Sequence, residues 1–232
     1  DPALVASMPQ KLIAHTGMDA ITHAIEAYVS TANSYFTDPL ALVSANTIKE
    51  SLVASYNGDQ DARAKMHDAQ CMAGMSFSNA LLGIVHSMAH KTGAVFADYG
   101  AHIIHGAANA MYLPKVIAFN AKDETAKKRY GQICDFIGVN GASDDEKIAN
   151  LISLLRKMND ELNIPHCIKN YGADSYPTEQ GFVPEKVFLE RLPEIAKNAI
   201  ADACTGSNPR IPSQEEMEML LKACYYDREV DF

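Results

Sequence analysis

Apolar positions recur along the chain at the spacing of helices. Leu12, Ile13, Ala20, Ile21, Ala24, Ile25 and Tyr28 form the first such pattern, and Ser7 ahead of Pro9 predicts its entry point. Asp38-Pro39 opens a second pattern through Leu40, Leu42, Val43, Ile48, Leu52 and Val53, and Asn57-Gly58 closes it as a turn. The stretch 61–82 is rich in Ala and Met, as a buried helix would be; Gly83 interrupts it, and a further helix is predicted over 84–91. Asp98-Tyr99-Gly100 reads as a loop, and the next helix is predicted to begin near Gly106. Patterns at 124–137, 143–162, 187–202 and 213–225 complete the set. In the last, Ser213 with Glu216 three residues on predicts a capping box.

No stretch alternates convincingly as a strand would, and no Gly-rich phosphate loop follows one. There is no internal repeat, and the loosest stretch, 172–184, is too short for a domain linker. The reading is one all-α domain over 1–232.

Composition narrows the function classes. Of 232 residues, 47% are apolar and 21% charged, which suits an ordinary globular core. The net charge of −9 and the absence of any basic cluster argue against nucleic acid and anionic membranes as partners, because both demand a basic surface. No apolar run is long enough to span a bilayer, and the opening Asp1-Pro2-Ala3-Leu4 has no signal-peptide pattern. The chain opens without Met, so a fragment or processed product is expected. Cys71, Cys134, Cys167, Cys204 and Cys224 are scattered and form no C-x-x-C pair. They are expected to be reduced, buried thiols in a cytoplasmic protein.

Candidate chemistry rests on eight histidines, at 15, 23, 67, 86, 90, 102, 105 and 166. Asp19 and His23 stand four apart on the first predicted helix, which puts both on one face. Their bland reading is a hydrogen-bonded pair. His86 and His90 repeat that spacing among Ile84, Val85, Met88 and Ala89, and two imidazoles on so apolar a face need polar partners or a metal. His105 precedes Gly106, where backbones can pack closely. One carboxylate and several imidazoles without thiolate suit Fe2+, Zn2+, Mn2+ or Ni2+ in a catalytic rather than a structural site. Spacing leaves open which histidines bind.

The stretch Thr16-Gly17-Met18-Asp19-Ala20-Ile21-Thr22-His23-Ala24-Ile25-Glu26 resembles a signature of the iron-containing (group III) alcohol dehydrogenases. Gly83-Ile84-Val85-His86-Ser87-Met88-Ala89-His90, then His105-Gly106-Ala107-Ala108-Asn109-Ala110 and Leu113-Pro114, resemble a second. Asp202-Ala203-Cys204 and Asn208-Pro209-Arg210 are also similar to family members. The resemblance implies the all-helical C-terminal half of the dehydroquinate synthase-like architecture. It implies metal ligands at Asp19, His23, His86 and His105, and a proton-transfer role for His90 near the nicotinamide. It further implies reversible hydride transfer between a primary alcohol or aldehyde and NAD or NADP, with Fe2+ as the first expectation for the metal and Zn2+ as another, in a homo-oligomer.

Two departures qualify it. The segment around 98–102 is longer than in many relatives and introduces His102, which competes with His105; the pattern His-Gly-x-Ala-Asn favours His105. Nothing in the chain resembles the family's N-terminal α/β half, which holds most of the nicotinamide site, so the chain alone is expected to be inactive. The alternatives are a dehydroquinate synthase-like lyase, a glycerol dehydrogenase-like enzyme, or a helical metal-binding module without catalysis.

Overall fold

A computed structural model describes residues 1–96, 103–171 and 183–232. Among them lie nine α-helices and no strand: α1 (Gln10–Val29), α2 (Asp38–Tyr56), α3 (Gln60–Ala80), α4 (Ile84–Val95), α5 (His105–Asn120), α6 (Glu124–Ile137), α7 (Asp144–Glu161), α8 (Glu185–Ile200) and α9 (Gln214–Tyr226). The all-α reading therefore holds. The Asp98-Tyr99-Gly100 loop, His102 and most of the 172–184 connection lie outside the described residues. No described helix is long and apolar enough to cross a membrane.

Local chemistry explains most helix ends. Asp59, Asp123 and Ser143 each accept a backbone N–H of the first turn of α3, α6 and α7. The capping box at α9 is complete: Ser213 Oγ accepts from Glu216 N at 3.1 Å, and Glu216 Oε2 accepts from Ser213 N at 2.8 Å. The predicted entry to α1 differs. Ser7 does not cap it; extended Pro9 occupies the N-cap position without a side-chain bond. There the fixed φ of proline, rather than a hydroxyl, sets where the helix begins.

Two helices form the centre. α1 buries 14 of its 20 residues and α5 buries 14 of 16, so both are enclosed on nearly every face. α1 packs against α2, α3, α5 and α6; α5 packs against α4, α7 and α9; α8 joins α4 to α9. Met18, Ile21, Ile25, Ile48, Leu52, Val85, Met88, Ile117 and Leu220 lie within the resulting core. Pro114 sits inside α5, where its ring leaves the carbonyl of Ala110 without a helical donor. Buried Asn159 of α7 supplies one, donating Nδ2 to Ala110 O at 2.9 Å.

The cysteines are all free, but burial was expected for each and is found for only three. Cys134, Cys167 and Cys224 are buried, Cys204 is half-buried, and Cys71 is exposed on α3. The outward side of α3 mixes apolar Met75 with Gln70, Ser78 and Asn79, so the thiol's orientation could not be read from its pattern.

At Gly106 the backbones of α5 and α1 meet. A Cβ there would clash with the His15 carbonyl oxygen and lie 2.6 Å from its carbon. No rotamer change relieves a clash with backbone. Replacing an ordinary helical glycine by alanine stabilises a helix by about 1 kcal/mol. Gly106→Ala is expected to reverse that sign and destabilise by about 1–3 kcal/mol through overpacking. Urea denaturation checks it; an unchanged or raised midpoint would mean that the helices are not so close.

Candidate metal centre

Four of the five residues singled out in sequence as ligands or proton carrier come from α1 and α4; the fifth, His105, opens α5. α1 carries Asp19 and His23 on one face, and His23 Nε2 lies 3.7 Å from Asp19 Oδ1. His86 and His105 approach the same oxygen through Nε2, at 3.4 and 3.3 Å. Asp19, His86 and His105 offer one donor atom each within 4.8 Å of one another. His23 joins through Asp19 and by stacking on His86, with ring centroids 4.6 Å apart. His90 stands next to this group rather than in it: its ring stacks on His105 at 5.4 Å, and His90 Nδ1 is 3.3 Å from Asp202 Oδ2.

His15, His67 and His166 do not enter the cluster. His15 is buried in α1, the His67 ring lies 3.4 Å from the terminal amine, and His166 pairs with Asp160 at 2.7 Å.

Exposure rises across the site. His86 is 1% exposed, His23 15%, Asp19 22% and His105 40%. One side of the site is thus fixed in the core and the other is open to solvent. Beside His23 opens a cavity of 990 Å³ lined by Phe36, Leu40, Met75 and Phe77, among others. Phe77 stacks on His23 at 4.3 Å.

Two residues that the sequence reading gave no role hold the arrangement. Glu26, three residues after His23 and almost wholly buried, accepts from Gly83 N at 3.1 Å, from Val85 N at 2.8 Å and from His86 Nδ1 at 2.6 Å. It thereby serves as a remote cap for α4, whose own N-cap is Gly83 and has no side chain to offer. Asn208 completes that cap, accepting from Ile84 N at 3.2 Å. A Cβ on Gly83 would stand 2.6 Å from Asn208 Oδ1 and 2.8 Å from Glu26 Oε1, so only glycine admits both acceptors. Leu81, just before it, has φ 63°, a left-handed conformation costly for leucine, of the kind that clusters near functional sites. A buried carboxylate among Ala24, Ile25 and Ala27 always requires a partner, and that was the available sequence signal for Glu26.

Asn109 is the second. Its Nδ2 lies 2.6 Å from Asp19 Oδ1, 3.2 Å from His86 Nε2 and 3.1 Å from His105 Nε2. The amide donates to Asp19 Oδ1; whether the two imidazole nitrogens give or accept depends on their tautomers. Its own Oδ1 is buried and has no hydrogen-bond partner among the described residues. The amide nitrogen stands where one carboxylate oxygen and two imidazole nitrogens converge, and that set of ligand atoms fits a divalent ion.

In this structure protons balance the charge of the cluster. Burial alone would raise the Asp19 carboxyl, but hydrogen bonds from His105 and His86 hold it far below the usual carboxylate range. Burial would lower His86; its bonds to Asp19 and Glu26 outweigh that and raise it to about 9. His23 is lowered to about 4, chiefly by burial, so at neutral pH it presents a lone pair.

Comparison with known proteins gives a consistent picture. Residues 13–225 match the model of the Fe-containing alcohol dehydrogenase family, C-terminal region. The chain is 51% identical over its full length to the NADPH-dependent butanol dehydrogenase of Clostridium saccharobutylicum, covering 55% of that protein. It is 39% identical to the bifunctional aldehyde-alcohol dehydrogenase AdhE of Escherichia coli K12, covering 99% of the chain and 26% of AdhE. Its fold superimposes on the iron-containing alcohol dehydrogenase of Thermococcus thioreducens with a TM-score of 0.84 at 32% identity, over 98% of this chain and 54% of that one. The chain therefore spans about half the length, or less, of these relatives. It belongs to the iron-containing alcohol dehydrogenase family, and matches the family's C-terminal part.

Proposed function

We propose that residues 1–232 act as one helical domain supplying the metal centre of an NAD(P)-dependent alcohol dehydrogenase that interconverts primary alcohols and aldehydes. The observation that carries this is the convergence of Asp19, His86 and His105 on one point, filled here by the Asn109 amide nitrogen. His23, beside Asp19, is the fourth ligand in this reading. One carboxylate with imidazoles and no thiolate suits Fe2+ first and Zn2+ next. A divalent ion held there supplies Lewis acidity, lowering the pKa of an alcohol hydroxyl and polarising an aldehyde carbonyl.

The chain's own residues do the rest. Glu26 accepts from His86 Nδ1 and so would hold the ring with Nε2 toward an ion, which would displace the Nε2 proton. The apolar side chains Phe36, Leu40, Met75 and Phe77 beside His23 offer contact to a short aliphatic substrate. His90 exchanges the hydroxyl proton. Asp202 orients it, and is itself held by Lys91 Nζ at 2.8 Å and by Cys204 N at 3.0 Å. Burial would raise Asp202, but these bonds lower it to about 2, so it stays an anion through the neutral range. The 51% identity to an enzyme named for NADPH favours NADP over NAD. Assembly as a homo-oligomer and a cytoplasmic location belong to the same reading.

In the full-length protein, NADP-linked oxidation of butanol is expected, and His90→Ala should lower its rate by about 100-fold or more while leaving iron content unchanged. Preference for glycerol, or no alcohol oxidation with iron bound, would overturn the substrate assignment.

Glu26→Gln keeps the volume but turns an acceptor into an amide. Metal affinity should fall by about 10–100-fold, the usual cost of losing such a supporting carboxylate. Elemental analysis after dialysis against graded chelator measures it, and undiminished retention by Glu26→Gln would remove Glu26 from this role.

A further inference from the structure

We propose that His90, Asp202 and Cys204 form a second cation site, suited to a borderline or soft divalent ion such as Zn2+, Co2+ or Cd2+. Their imidazole nitrogen, carboxylate oxygen and thiol sulfur lie within 4.8 Å of one another. Three protein ligands leave a fourth position open, as in a catalytic or exchangeable site. The thiol separates this site chemically from the first, which has none, and directs softer ions here.

The three side chains are built in rather than fortuitously near. Asp202 caps the 3₁₀ turn Ala203–Ser207 through Oδ1, which accepts from Cys204 N at 3.0 Å and leaves Oδ2 toward His90. That turn is tied to α4 and to the segment preceding it: Thr205 Oγ1 donates to Ser87 Oγ at 2.8 Å, and Ser207 Oγ donates to Leu82 O at 2.6 Å. Both threonine and serine are buried, so the turn and the helix carrying His90 hold one relative position. Lys91 competes for Asp202 Oδ2 at 2.8 Å. A carboxylate has about four lone-pair directions, so its other directions remain for an ion. Burial and the neighbouring Asp202 carboxylate keep the Cys204 thiol protonated here. As the sulfur–metal bond forms, that proton leaves to solvent.

An ion here takes His90 away from proton transfer, so loading inhibits. That consequence alone rests on the role proposed for His90; the binding itself does not.

Titration of the full-length protein with Co2+ tests the site through the thiolate-to-cobalt charge-transfer absorption in the near ultraviolet. The band is expected in the wild-type protein, in Asp19→Asn and in Cys71→Ser. Cys204→Ser should abolish it and weaken the second equivalent of Co2+ by at least about tenfold. Asp202→Asn, which keeps the thiol, should shift the titration the same way, and circular dichroism checks that each variant is folded. A band that never forms at saturating Co2+, or that survives in folded Cys204→Ser, overturns the proposal. Absence of alcohol oxidation before any Co2+ is added, with the band still forming on titration, would count against the enzymatic reading and leave this site standing.

Discussion

The Glu26 carboxylate is the interaction on which the rest of the centre depends. It comes from α1, one of the two central helices, and accepts two backbone N–H groups and one imidazole N–H, all from the start of α4. A buried carboxylate with fewer partners would cost several kcal/mol in desolvation. With three donors it is satisfied, and in return it fixes three things: the start of α4, the rotation of that helix, and the orientation of the His86 ring. Asn208 adds the remaining acceptor and is itself held by buried Asn120, whose Oδ1 accepts from Asn208 Nδ2 at 2.8 Å. The family-like segments around Asp19, His86 and Asn208, far apart in sequence, are therefore parts of one hydrogen-bonded unit.

The fold was largely legible because helix-period patterns and cap residues agreed. Ser213 with Glu216, Asp38 with Pro39 and the enclosed pattern of α1 each predicted an element that exists. The entry to α1 was misassigned because a hydroxyl near a proline looks like a cap whether or not its geometry allows the bond. α4 runs past the predicted end at Lys91 to Val95, since Thr92, Gly93 and Ala94 carry little periodic signal although buried Thr92 donates to Met88 O at 2.9 Å.

In the site, spacing showed which residues could share a helical face and family resemblance chose among the histidines. Neither shows which polar groups are satisfied by others. Glu26 and Asn109 are ordinary letters inside long apolar stretches, and their roles exist only once α1, α4 and α5 are packed. A signal was present in both cases, since a polar residue in an otherwise enclosed helix must answer to something. What that something is requires the tertiary contacts.

The gradient from enclosed His86 to open His105 and His90 follows from this packing. Ligands that must not move are placed where close-packed neighbours forbid it, and α5 reaches α1 closely enough that only glycine fits at 106. Groups that must exchange protons or meet substrate sit at the rim, held by polar contacts instead: His90 by Asp202, and Asp202 by Lys91 and the turn at Cys204. Polar restraints at a rim are weaker and more easily exchanged than core packing. The same arrangement that lets His90 shuttle a proton also leaves it open to capture by a thiophilic ion, because the restraint that orients it is built from metal-binding atoms.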